Sequence, residues 1–545
     1  VAGGATTAAR LRRLDENAEI ILFERGKYIS YANCGLPYHV GDVIPSREHL
    51  LLQTPESLKS RFNIDVRIQQ EVTFIDRANK TVSVKNLATS QESVESYDTL
   101  VLATGSSPII PNIPGIRSKY IFSLWTVDDA DHIRQYIRQN KISDAIIIGG
   151  GFIGIEMTEN LRRLGITVSL VEMLNQVMAP FDFEMAQLIH KTLEENGVSL
   201  YLGNGVTSFT ETDESILVNL SDGKQLATRL VILSIGVKPN SELARSAGLA
   251  LNARGGIVVD KTLRTSDPDI FAVGDVIEVE DFISKGKTMI PLAGPANKQG
   301  RIAAGNIAGE NDQYPGTQGS AIVKIFDVCA ANTGANEKTL LKNGLIKGKD
   351  YEKLIILQNS HAGYYPGASP MAIKLLFSTD GNKIFGAQII GKEGVDKRID
   401  TIGTAIRLGG TIWDLKSLEF AYAPPFSSAK DPVNMAGFVA ENILKSRVFF
   451  AEWDVVERHD PEKTILLDVR EDAERRTYAL SGALNIPLGQ IRSRLSEIDK
   501  EKEIIIFCAM GVRAYNAARI LMANGFQNVK VYPGGMRFFR AIHYK

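Results

Sequence analysis

The stretch that decides the fold is DAIIIGGGFIGIEMTENLRRLGITVSLVEM, residues 144–173. Its first apolar run is followed by Gly149, Gly151 and Gly154, which have the G-x-G-x-x-G spacing of a dinucleotide-binding turn. A helical segment comes next, and a second apolar run ends at Glu172. Such glycines let the backbone approach a pyrophosphate at a helix N-terminus, and the carboxylate bonds ribose hydroxyls. The stretch predicts a bound nicotinamide dinucleotide, and Glu172 favours NADH over NADPH because it would repel a 2′-phosphate.

A second dinucleotide-binding turn opens the chain in incomplete form. The start VAGGATTAARLRRL contains Gly3 and Gly4 and runs into a predicted helix, and the next apolar run ends at Glu24. The separation from Gly4 to Glu24 is that expected between a phosphate-binding turn and a ribose-binding carboxylate. The strand that ordinarily precedes such a turn is absent and there is no initiator Met. We therefore expect the chain to begin inside a longer one.

Two further apolar runs, YDTLVLATGSSP and TSDPDIFAVGDV, each end in a glycine turn. The residues of these two turns are Thr104, Gly105, Gly274 and Asp275. Together the four motifs resemble the two-dinucleotide-binding flavoprotein disulfide reductases over residues 1 to about 445. The resemblance implies FAD at the first turn, NADH or NADPH at the second, and Asp275 on the ribityl chain of FAD. The alternative is an unrelated protein with two such domains.

The C-terminal segment carries motifs of its own. A D-V-R-E box at residues 468–471, a G-A-x-N-I-P box at 482–487 and a C-x4-R loop from Cys508 to Arg513 occur in the order of the rhodanese domains, which the segment resembles. One departure is YALSGA, where the family has G-H-I before the second box. We predict a strand before the loop and a helix beginning near Tyr515.

The loop that begins at Cys508 can form an anion-binding nest of backbone N–H groups around a thiolate or persulfide. Gly511 allows the tight bend, and Arg513 is placed to support the loop or the substrate. Because no charged residue precedes Arg513 in the loop, a persulfide fits it better than thiosulfate. The alternative is an inert buried thiol.

The two resemblances imply an α/β fold with two Rossmann-like domains for FAD and NAD(P)H, an α+β dimerisation domain and a C-terminal α/β rhodanese domain. Strand-rich segments from about residue 316 match the dimerisation domain. The predicted boundaries are 1–111 and 236–315 for the two parts of the FAD domain, 112–235 for the NAD(P)H domain, 316–445 for the dimerisation domain and 446–545 for the rhodanese domain.

The cysteine in YISYANCGLPYHVGD is unpaired in sequence. Dithiol members of the flavoprotein family carry C-x4-C, but His39 stands five residues after Cys34, and FAYAPPFSSAKD lacks the family's C-terminal His-Pro. Cys34 must therefore form a sulfenic acid, or a mixed disulfide or persulfide with an external thiol. The motif SYANCGLPY resembles the coenzyme A disulfide reductase branch, which includes rhodanese-fused CoA and persulfide reductases. That branch implies Cys34 at the start of a helix beside the flavin, where helix N–H groups lower the thiol pKa.

The branch also implies residues that contact coenzyme A. They are Thr6, Arg10, Arg13, Ser30, Asn33, Asn297 and Lys430. Arg10 and Arg13 lie one turn apart on the first helix and can bond phosphates, although a solvated helix face is the alternative. Tyr364 and Tyr422 would come from the partner of a homodimer, where a phenol can protonate a leaving thiolate; the alternative is a packing role for each.

Length and composition limit the number of domains, the partners and the compartment that we expect for the protein. The 545 residues are too many for one core, and a formal net charge of -1 gives no reason to expect nucleic acid. No apolar run approaches the ~20 residues of a membrane helix. The cysteines, Cys34, Cys329 and Cys508, are too scattered for a disulfide framework or a metal site, which suggests a reducing cytoplasm. Cys329, in apolar surroundings, is predicted to be a core residue.

The function we predict is the FAD-dependent, NAD(P)H-driven reduction of CoA disulfide, CoA persulfide or polysulfide at Cys34, coupled to sulfane-sulfur transfer at Cys508. Three alternatives remain open. An NADH oxidase or peroxidase would use Cys34 as a sulfenic acid, a sulfur-binding or sensing module would have a non-catalytic rhodanese domain, and an electron-transfer flavoprotein would not need Cys34.

Overall fold

The computed structural model of the protein describes residues 1–544, and its helices and strands are numbered in chain order. Residues 1–111 contain α1 (Ala2–Leu14), β1 (Ile21–Glu24), β2 (Ser30–Tyr31), α2 (Leu36–Val40), β3 (Leu51–Gln53), α3 (Pro55–Phe62), β4 (Asp65–Ile68), β5 (Gln70–Asp76), β6 (Thr81–Asn86), β7 (Glu92–Ser96), β8 (Leu100–Leu102) and β9 (Ser106–Pro108). Residues 112–235 contain β10 (Ile121–Phe122), α4 (Val127–Gln139), β11 (Asp144–Ile148), α5 (Phe152–Arg163), β12 (Thr167–Glu172), α6 (Phe183–Glu195), β13 (Val198–Leu202), β14 (Val206–Glu211), β15 (Ile216–Leu220), β16 (Gln225–Thr228) and β17 (Val231–Leu233).

The remaining elements follow in the same order. Residues 236–315 contain β18 (Val237–Pro239), α7 (Glu242–Ser246), β19 (Ile270–Ala272), β20 (Val279–Glu280), β21 (Lys287–Thr288) and α8 (Ala293–Ile307). Residues 316–445 contain β22 (Ala321–Ile325), β23 (Val328–Gly334), α9 (Glu337–Lys342), β24 (Tyr351–Asn359), β25 (Pro370–Ser378), β26 (Ile384–Gly391), α10 (Val395–Arg407), α11 (Ile412–Ser417) and α12 (Pro432–Leu444). The last elements are α13 (Val455–Arg458), β27 (Thr464–Asp468), α14 (Asp472–Arg475), β28 (Leu484–Asn485), β29 (Glu503–Phe507), α15 (Val512–Ala523), β30 (Val529–Val531) and α16 (Gly535–Ile542).

The chain divides into two compact units, and the first holds residues 1–175 and 197–319. Its largest sheet has five parallel strands in the order β10-β17-β11-β12-β13. Residues 145–148 of strand β11 are a continuous apolar run because parallel strands are covered on both faces, and their side chains are buried. Parallel pairs β1-β4 and β8-β19 belong to the same unit. The quoted stretch thus forms β11, α5 and β12 as predicted.

The second unit holds residues 176–196 and the chain from residue 320 onward. It contains an antiparallel sheet in the order β22-β23-β26-β25-β24, against which α10 packs, and a parallel sheet in the order β28-β27-β29-β30. This arrangement confirms an α+β segment followed by an α/β segment. Helix α15 begins at Val512 and not near Tyr515 as predicted, because Gly511, at φ 120°, completes the chain reversal immediately before it. In the described residues no helix is long and apolar enough to cross a membrane.

A buried lysine ties together three parts of the second unit. Lys374 on β25 is fully buried, and its Nζ lies 2.8 Å from Asp182 Oδ2, 2.5 Å from Glu184 Oε1 and 2.8 Å from Glu337 Oε2. Burial raises the pKa of Glu337, but the charges of Lys374 and Lys353 outweigh burial and hold that pKa at about 2. This value lies below the pKa of a glutamate in the unfolded chain. The ion pairs of Glu337 therefore stabilise the fold at neutral pH, and this stabilisation is lost as pH falls toward the folded pKa.

The same cluster reaches the start of the C-terminal segment. Lys353 Nζ lies 2.9 Å from Glu452 Oε2, and Lys347 Nζ lies 2.5 Å from Glu452 Oε1. The next residue, Trp453, has its ring 5.6 Å from that of Phe183 on α6, and its carbonyl accepts a 2.6 Å hydrogen bond from the hydroxyl of Tyr532. These contacts fix where the C-terminal segment leaves the antiparallel sheet.

Replacing Lys374 with Met should destabilise the fold strongly, because it leaves the buried carboxylates of Asp182 and Glu184 without their cation and Glu337 with Lys353 alone. We expect a loss of about 3–5 kcal/mol in the free energy of unfolding, measured by urea titration at neutral pH. The matched control is Lys392→Met, which breaks an exposed pair with Asp327 in the same unit and should cost less than about 1 kcal/mol. Equal losses in the two variants would show that the buried cluster has no special weight.

Candidate active sites

The first dinucleotide turn is built by close packing around the start of α1. A Cβ atom on Gly3 would lie 2.9 Å from Cγ2 of Val273, and one on Gly4 would lie 3.0 Å from Cβ of Ala103. A Cβ on Gly300 of α8 would lie 2.5 Å from the carbonyl oxygen of Gly3. Only glycine lets α1 approach the carboxyl ends of β8 and β19 this closely, which is what a backbone-lined phosphate site requires.

Polar groups predicted to bind FAD follow those same strands. Asp275 is part of a 3₁₀ turn, and its Oδ2 accepts a 2.9 Å hydrogen bond from the hydroxyl of Ser106. Burial raises the pKa of Asp275, and that hydrogen bond only partly offsets it. Thr104 donates its hydroxyl to the carbonyl of Asn240 at 2.6 Å, and a Cβ on Gly105 would meet open space. A half-buried carboxylate beside a glycine turn fits a hydroxyl-rich ligand such as FAD.

Glu24 lies at the end of β1, as the sequence predicts. Its Oε1 accepts a 2.6 Å hydrogen bond from the N–H of Gly26, so the carboxylate is held by the turn that follows its own strand. This position at a strand end is the one from which a ribose can be bonded. The residues that would hold FAD are therefore Gly3, Gly4, Glu24, Thr104, Gly105, Gly274 and Asp275.

The second dinucleotide turn is complete. Gly149, at φ 104°, has no room for a Cβ beside the carbonyl of Ser234, and a Cβ on Gly154 would collide with the carbonyl of Gly149. A Cβ on Gly151, at the N-cap of α5, would meet no protein atom within 4 Å. Glu172 accepts a 2.7 Å hydrogen bond from the N–H of Gly150, which holds its carboxylate over the turn. The open space at Gly151 is where a pyrophosphate would approach the backbone.

Cys34 lies where its motif predicts, in a 3₁₀ turn (Asn33–Gly35) that leads into α2. The expected lowering of its pKa is not found. Burial raises the pKa of Cys34, and the charge of Glu156 raises it further. Helix α2 has only five residues, so its N–H groups give little compensation. The thiol is nonetheless exposed and free.

Glu156 is a site residue that sequence reasoning missed. It is the fifth residue of α5, and burial raises its pKa to about 7. The hydroxyl of Tyr38, one turn after Cys34 on α2, lies 3.4 Å from its Oε1. Such a carboxyl can take up or release a proton at neutral pH. Its signal in the sequence was its place near the start of the helix that follows the glycines, two residues past Gly154.

The histidine that replaces a second cysteine has a structural role. His39 is fully buried, and its Nδ1 lies 2.7 Å from the carbonyl oxygen of Ile44. Its Nε2 lies 3.2 Å from Nη1 of Arg134 and 3.4 Å from Asp131. These contacts hold α2 against α4 and leave the imidazole with no free face toward Cys34's turn.

The residues predicted to contact coenzyme A are only partly brought together. The hydroxyl of Thr6 donates a 2.6 Å hydrogen bond to Oδ1 of Asn297, which joins α1 and α8. Arg13 lies with its Cζ 5.0 Å from the ring centroid of Phe62, and Nε of Arg10 is buried with no hydrogen-bond partner in the described residues. An unpartnered guanidinium nitrogen is a group that a bound phosphate could satisfy.

The other predicted contacts are less informative. Ser30 is buried on β2, and Asn33 is half-buried in the turn of Cys34. Lys430 is exposed and belongs to the second unit. Their roles stay predictions.

Tyr364 and Tyr422 are 58 residues apart in sequence, and the structure pairs them. Their hydroxyl oxygens lie 3.0 Å apart, and the hydrogen bond between them raises the pKa of Tyr422. Both side chains are exposed, at 76% and 47%. Neither is a core residue, so the packing alternative for these tyrosines is excluded within the second unit.

The loop at Cys508 has the geometry of an anion site. It follows β29, and Sγ of Cys508 accepts a hydrogen bond from the N–H of Gly511 at 3.0 Å. Arg513 does not face this sulfur freely, because it makes two 2.6 Å hydrogen bonds to the carboxylate of Glu474. That pairing holds the pKa of Glu474 at about 2. Arg513 is thus placed to brace the loop against α14, and Glu474 is a partner that the sequence motifs did not reveal.

Two dinucleotide turns on parallel strands and a lone thiol define a class, the nicotinamide-dependent flavoprotein oxidoreductases. Residues 2–300 match the model of the family described as "Pyridine nucleotide-disulphide oxidoreductase". Residues 320–432 match the dimerisation domain of that family. The chain belongs to the pyridine nucleotide-disulphide oxidoreductase family, which uses FAD and NAD(P)H. A rhodanese-like domain matches residues 454–541. The predicted family, fold class and cofactors are confirmed, whereas the domain boundaries stay predictions.

One relative resembles four-fifths of the chain, and two solved structures resemble almost all of it. A coenzyme A disulfide reductase of Staphylococcus aureus is 34% identical over 442 residues, which are 81% of this chain and 98% of the relative. The crystal structure of reduced Bacillus anthracis CoADR-RHD has a TM-score of 0.95 at 48% identity and covers 99% of this chain and 96% of its own. An NAD-dependent persulfide reductase from A. fulgidus has a TM-score of 0.92 at 37% identity and covers 98% of each chain.

The open space at Gly151 gives a test of the nicotinamide site. Gly151→Ala should leave the free energy of unfolding within about 0.5 kcal/mol of the parent, because its Cβ meets no protein atom and its φ of -79° suits alanine. It should weaken NADH binding at least about tenfold, since the methyl group takes the space of the pyrophosphate. NADH binding is measured by titration of fluorescence and stability by urea titration.

The matched control is Gly154→Ala, whose Cβ would collide with the carbonyl of Gly149. It should lower both stability and NADH binding. Unchanged NADH affinity in Gly151→Ala would contradict the assignment of this turn.

Proposed function

We propose that this protein reduces sulfur–sulfur bonds carried by coenzyme A, with electrons from NADH, and that its C-terminal domain transfers sulfane sulfur. The observation that carries the proposal is the separation of two free thiols. Cys34 is the only cysteine of the first unit, and Cys508 is held in an N–H-lined loop of the second. A thiol without a partner in its own unit needs its second sulfur from a substrate.

The cofactor sites are supported by the two glycine turns. FAD would be held at the first turn and NADH at the second, and bound FAD supplies the route by which the electron pair of NADH reaches sulfur. Glu172 over the second turn favours NADH, because a 2′-phosphate would meet its charge. Glu156 holds a proton near Cys34 with a pKa of about 7, which suits exchange at neutral pH.

At Cys34 the thiolate attacks the sulfur–sulfur bond of the substrate. With CoA disulfide, the bond between the two CoA sulfurs breaks, Cys34 forms a mixed disulfide with one, and the other leaves as thiolate. With a CoA persulfide, Cys34 forms a mixed disulfide with the CoA sulfur, the sulfur–sulfur bond of the persulfide breaks, and hydrosulfide leaves. With a polysulfide, Cys34 bonds the attacked sulfur and the rest of the sulfur chain leaves as an anion. A leaving thiolate takes up a proton, for which the paired phenols of Tyr364 and Tyr422 on a partner subunit are suited.

The relatives support this substrate class. The Staphylococcus aureus relative is named coenzyme A disulfide reductase, the A. fulgidus structure a persulfide reductase, and both the family and the exposed tyrosine pair favour a homodimer. Polysulfide as a substrate, a cytoplasmic location and the CoA-contacting residues are parts of the proposal. None of the three cysteines forms a disulfide in the structure, which agrees with a reducing compartment.

An oxidase is the second candidate. A water-forming NADH oxidase from Lactobacillus brevis has a TM-score of 0.78 at 28% identity, but it covers 82% of this chain, against 99% for the rhodanese-fused structure. An oxidase would also have no use for the loop at Cys508. Consumption of NADH with oxygen as the sole acceptor separates the two activities.

Two serine variants test the proposal through steady-state kinetics with CoA disulfide, CoA persulfide and polysulfide, each with NADH and with NADPH. Cys34→Ser should lower kcat for every CoA-linked substrate by about a thousandfold or more, because the nucleophile is lost. Cys508→Ser should retain CoA disulfide reduction and lose polysulfide use.

The control for cysteine replacement is Cys329→Ser, which should behave as the parent toward all three substrates. Equal loss of both activities in Cys508→Ser would mean that the C-terminal domain is structural. Faster turnover with oxygen than with CoA disulfide would favour the oxidase.

A further inference from the structure

The rim of the Cys508 loop is fastened to α16 through backbone hydrogen bonds. The N–H of Met536 donates to the carbonyl of Cys508 at 2.7 Å, and the N–H of Arg537 donates to that of Ala509 at 3.1 Å. A Cβ on Gly535 would lie 2.6 Å from the carbonyl oxygen of Cys508, so glycine is needed for this approach. The first turn of α16 therefore has a fixed position beside the sulfur-bearing loop.

Two arginines of α16 lie beside this loop, Arg537 at its rim and Arg540 about one turn further along the helix. Nη1 of Arg537 lies 3.7 Å from Sδ of Met510 in the loop, and Cζ of Arg540 lies 5.0 Å from the ring centroid of Tyr478. Both are exposed, and being three residues apart they lie on the same side of the helix. Within residues 1–544 neither has a carboxylate within 4 Å, in contrast to Arg513, which Glu474 neutralises.

Buried contacts of α16 and the ring of Tyr478 hold the two arginines beside the loop. Helix α16 is anchored by buried side chains on its other side, namely Met536, Phe538, Phe539 and Ile542. Tyr478 lies immediately before ALSGA, in the segment where the sequence departs from the rhodanese pattern, and its carbonyl accepts a 2.8 Å hydrogen bond from Arg470. That departure supplies the aromatic face on which Arg540 rests.

We propose that Arg537 and Arg540 bind the anionic groups of a small thiol that exchanges sulfane sulfur with Cys508. This inference rests on the proposed function and names how the carrier is recognised. Planar guanidinium groups bond phosphate or carboxylate in a bidentate way, and two unneutralised ones beside the loop leave the sulfur end of the carrier free to enter it. The shared chemistry is an anionic persulfide, either phosphate-bearing CoA persulfide or carboxylate-bearing glutathione persulfide.

The transfer itself requires no oxidant or reductant. The Cys508 thiolate attacks the terminal sulfur of a carrier persulfide R–S–S–H, and a new bond forms between Sγ and that sulfur. The bond between the two carrier sulfurs breaks, R–S⁻ leaves with the electron pair, and the proton remains on the transferred sulfur. The N–H of Gly511, already bonded to Sγ, stabilises the anionic form of the product.

The test measures the rate at which Cys508 gains one sulfur, followed by mass spectrometry of the full-length protein with three donors. The donors are CoA persulfide, glutathione persulfide and pantetheine persulfide, whose carrier has no charged phosphate or carboxylate and is called the uncharged donor below. In the double variant Arg537→Gln with Arg540→Gln, we expect the apparent second-order rate to fall about tenfold for an anionic donor and about threefold in each single variant. The rate with pantetheine persulfide should not change.

The matched control is Arg519→Gln on α15. Nη1 of Arg519 also lies 3.7 Å from a methionine sulfur, that of Met522, but Arg519 belongs to the helix after the loop and not to its rim. This variant should label at the parent rate with every donor. A fall with CoA persulfide alone assigns the arginines to phosphate, and a fall with both anionic donors assigns them to anions in general.

Two results would overturn the proposal. Unchanged labelling in the double variant would exclude binding by these arginines, and equal slowing with charged and uncharged donors would show that they only maintain the loop. Failure of every donor to label Cys508 in the parent protein would overturn the proposed sulfur transfer and this inference together. Circular dichroism of each variant checks that α16 is retained.

Discussion

The proposed chemistry depends on one constraint, the absence of a second cysteine from the unit that contains Cys34. Reduction of a disulfide requires a sulfur–sulfur bond to be exchanged, and a lone thiol can exchange only with a sulfur that arrives from outside. Burial and Glu156 raise the pKa of Cys34, so its immediate surroundings alone do not favour the thiolate. A proton-accepting carboxyl with a pKa of about 7 nearby gives that proton a destination.

The surroundings of the second thiol, Cys508, differ from those of Cys34. Cys508 is buried at the end of β29 with an N–H directed at its sulfur, which suits the storage of an anionic persulfide. The domain that carries it is joined to the antiparallel sheet through Glu452 and Trp453, and the buried charges around Lys374 stabilise that junction. The two thiols thus belong to different units of one chain, as the proposed division between sulfur storage and sulfur reduction requires.

The sequence could predict the fold because the decisive motifs are local. The glycines of residues 149–154 and the strand ends at Glu24 and Glu172 lie where their spacing indicated, since backbone geometry fixes these positions. The start of α15 was misplaced because the positive φ of Gly511 ends the loop sooner than the motif suggested. The prediction of a lowered pKa for Cys34 was wrong for a different reason. A five-residue helix cannot offset the effects of burial and a neighbouring carboxylate, which raise that pKa.

What the sequence could not reveal were contacts between distant segments. The pairing of Tyr364 with Tyr422 was implied only by resemblance, and the partners Glu156 for Tyr38 and Glu474 for Arg513 had no sequence signal beyond their charge. Tertiary packing decides which charges meet, and a single sequence carries little record of it. The buried position of Lys374 was invisible for the same reason, because an isolated lysine within an apolar strand has no motif.

The most direct test of the role of Cys34 is to mix the protein, with its thiols reduced and no NADH present, with CoA disulfide and to locate the covalent adduct by mass spectrometry of its peptides. We predict one CoA in disulfide linkage to Cys34, one CoA thiol released, and no adduct on Cys329. An absent adduct, or one confined to another cysteine, would contradict the claim that the second sulfur at Cys34 comes from the substrate.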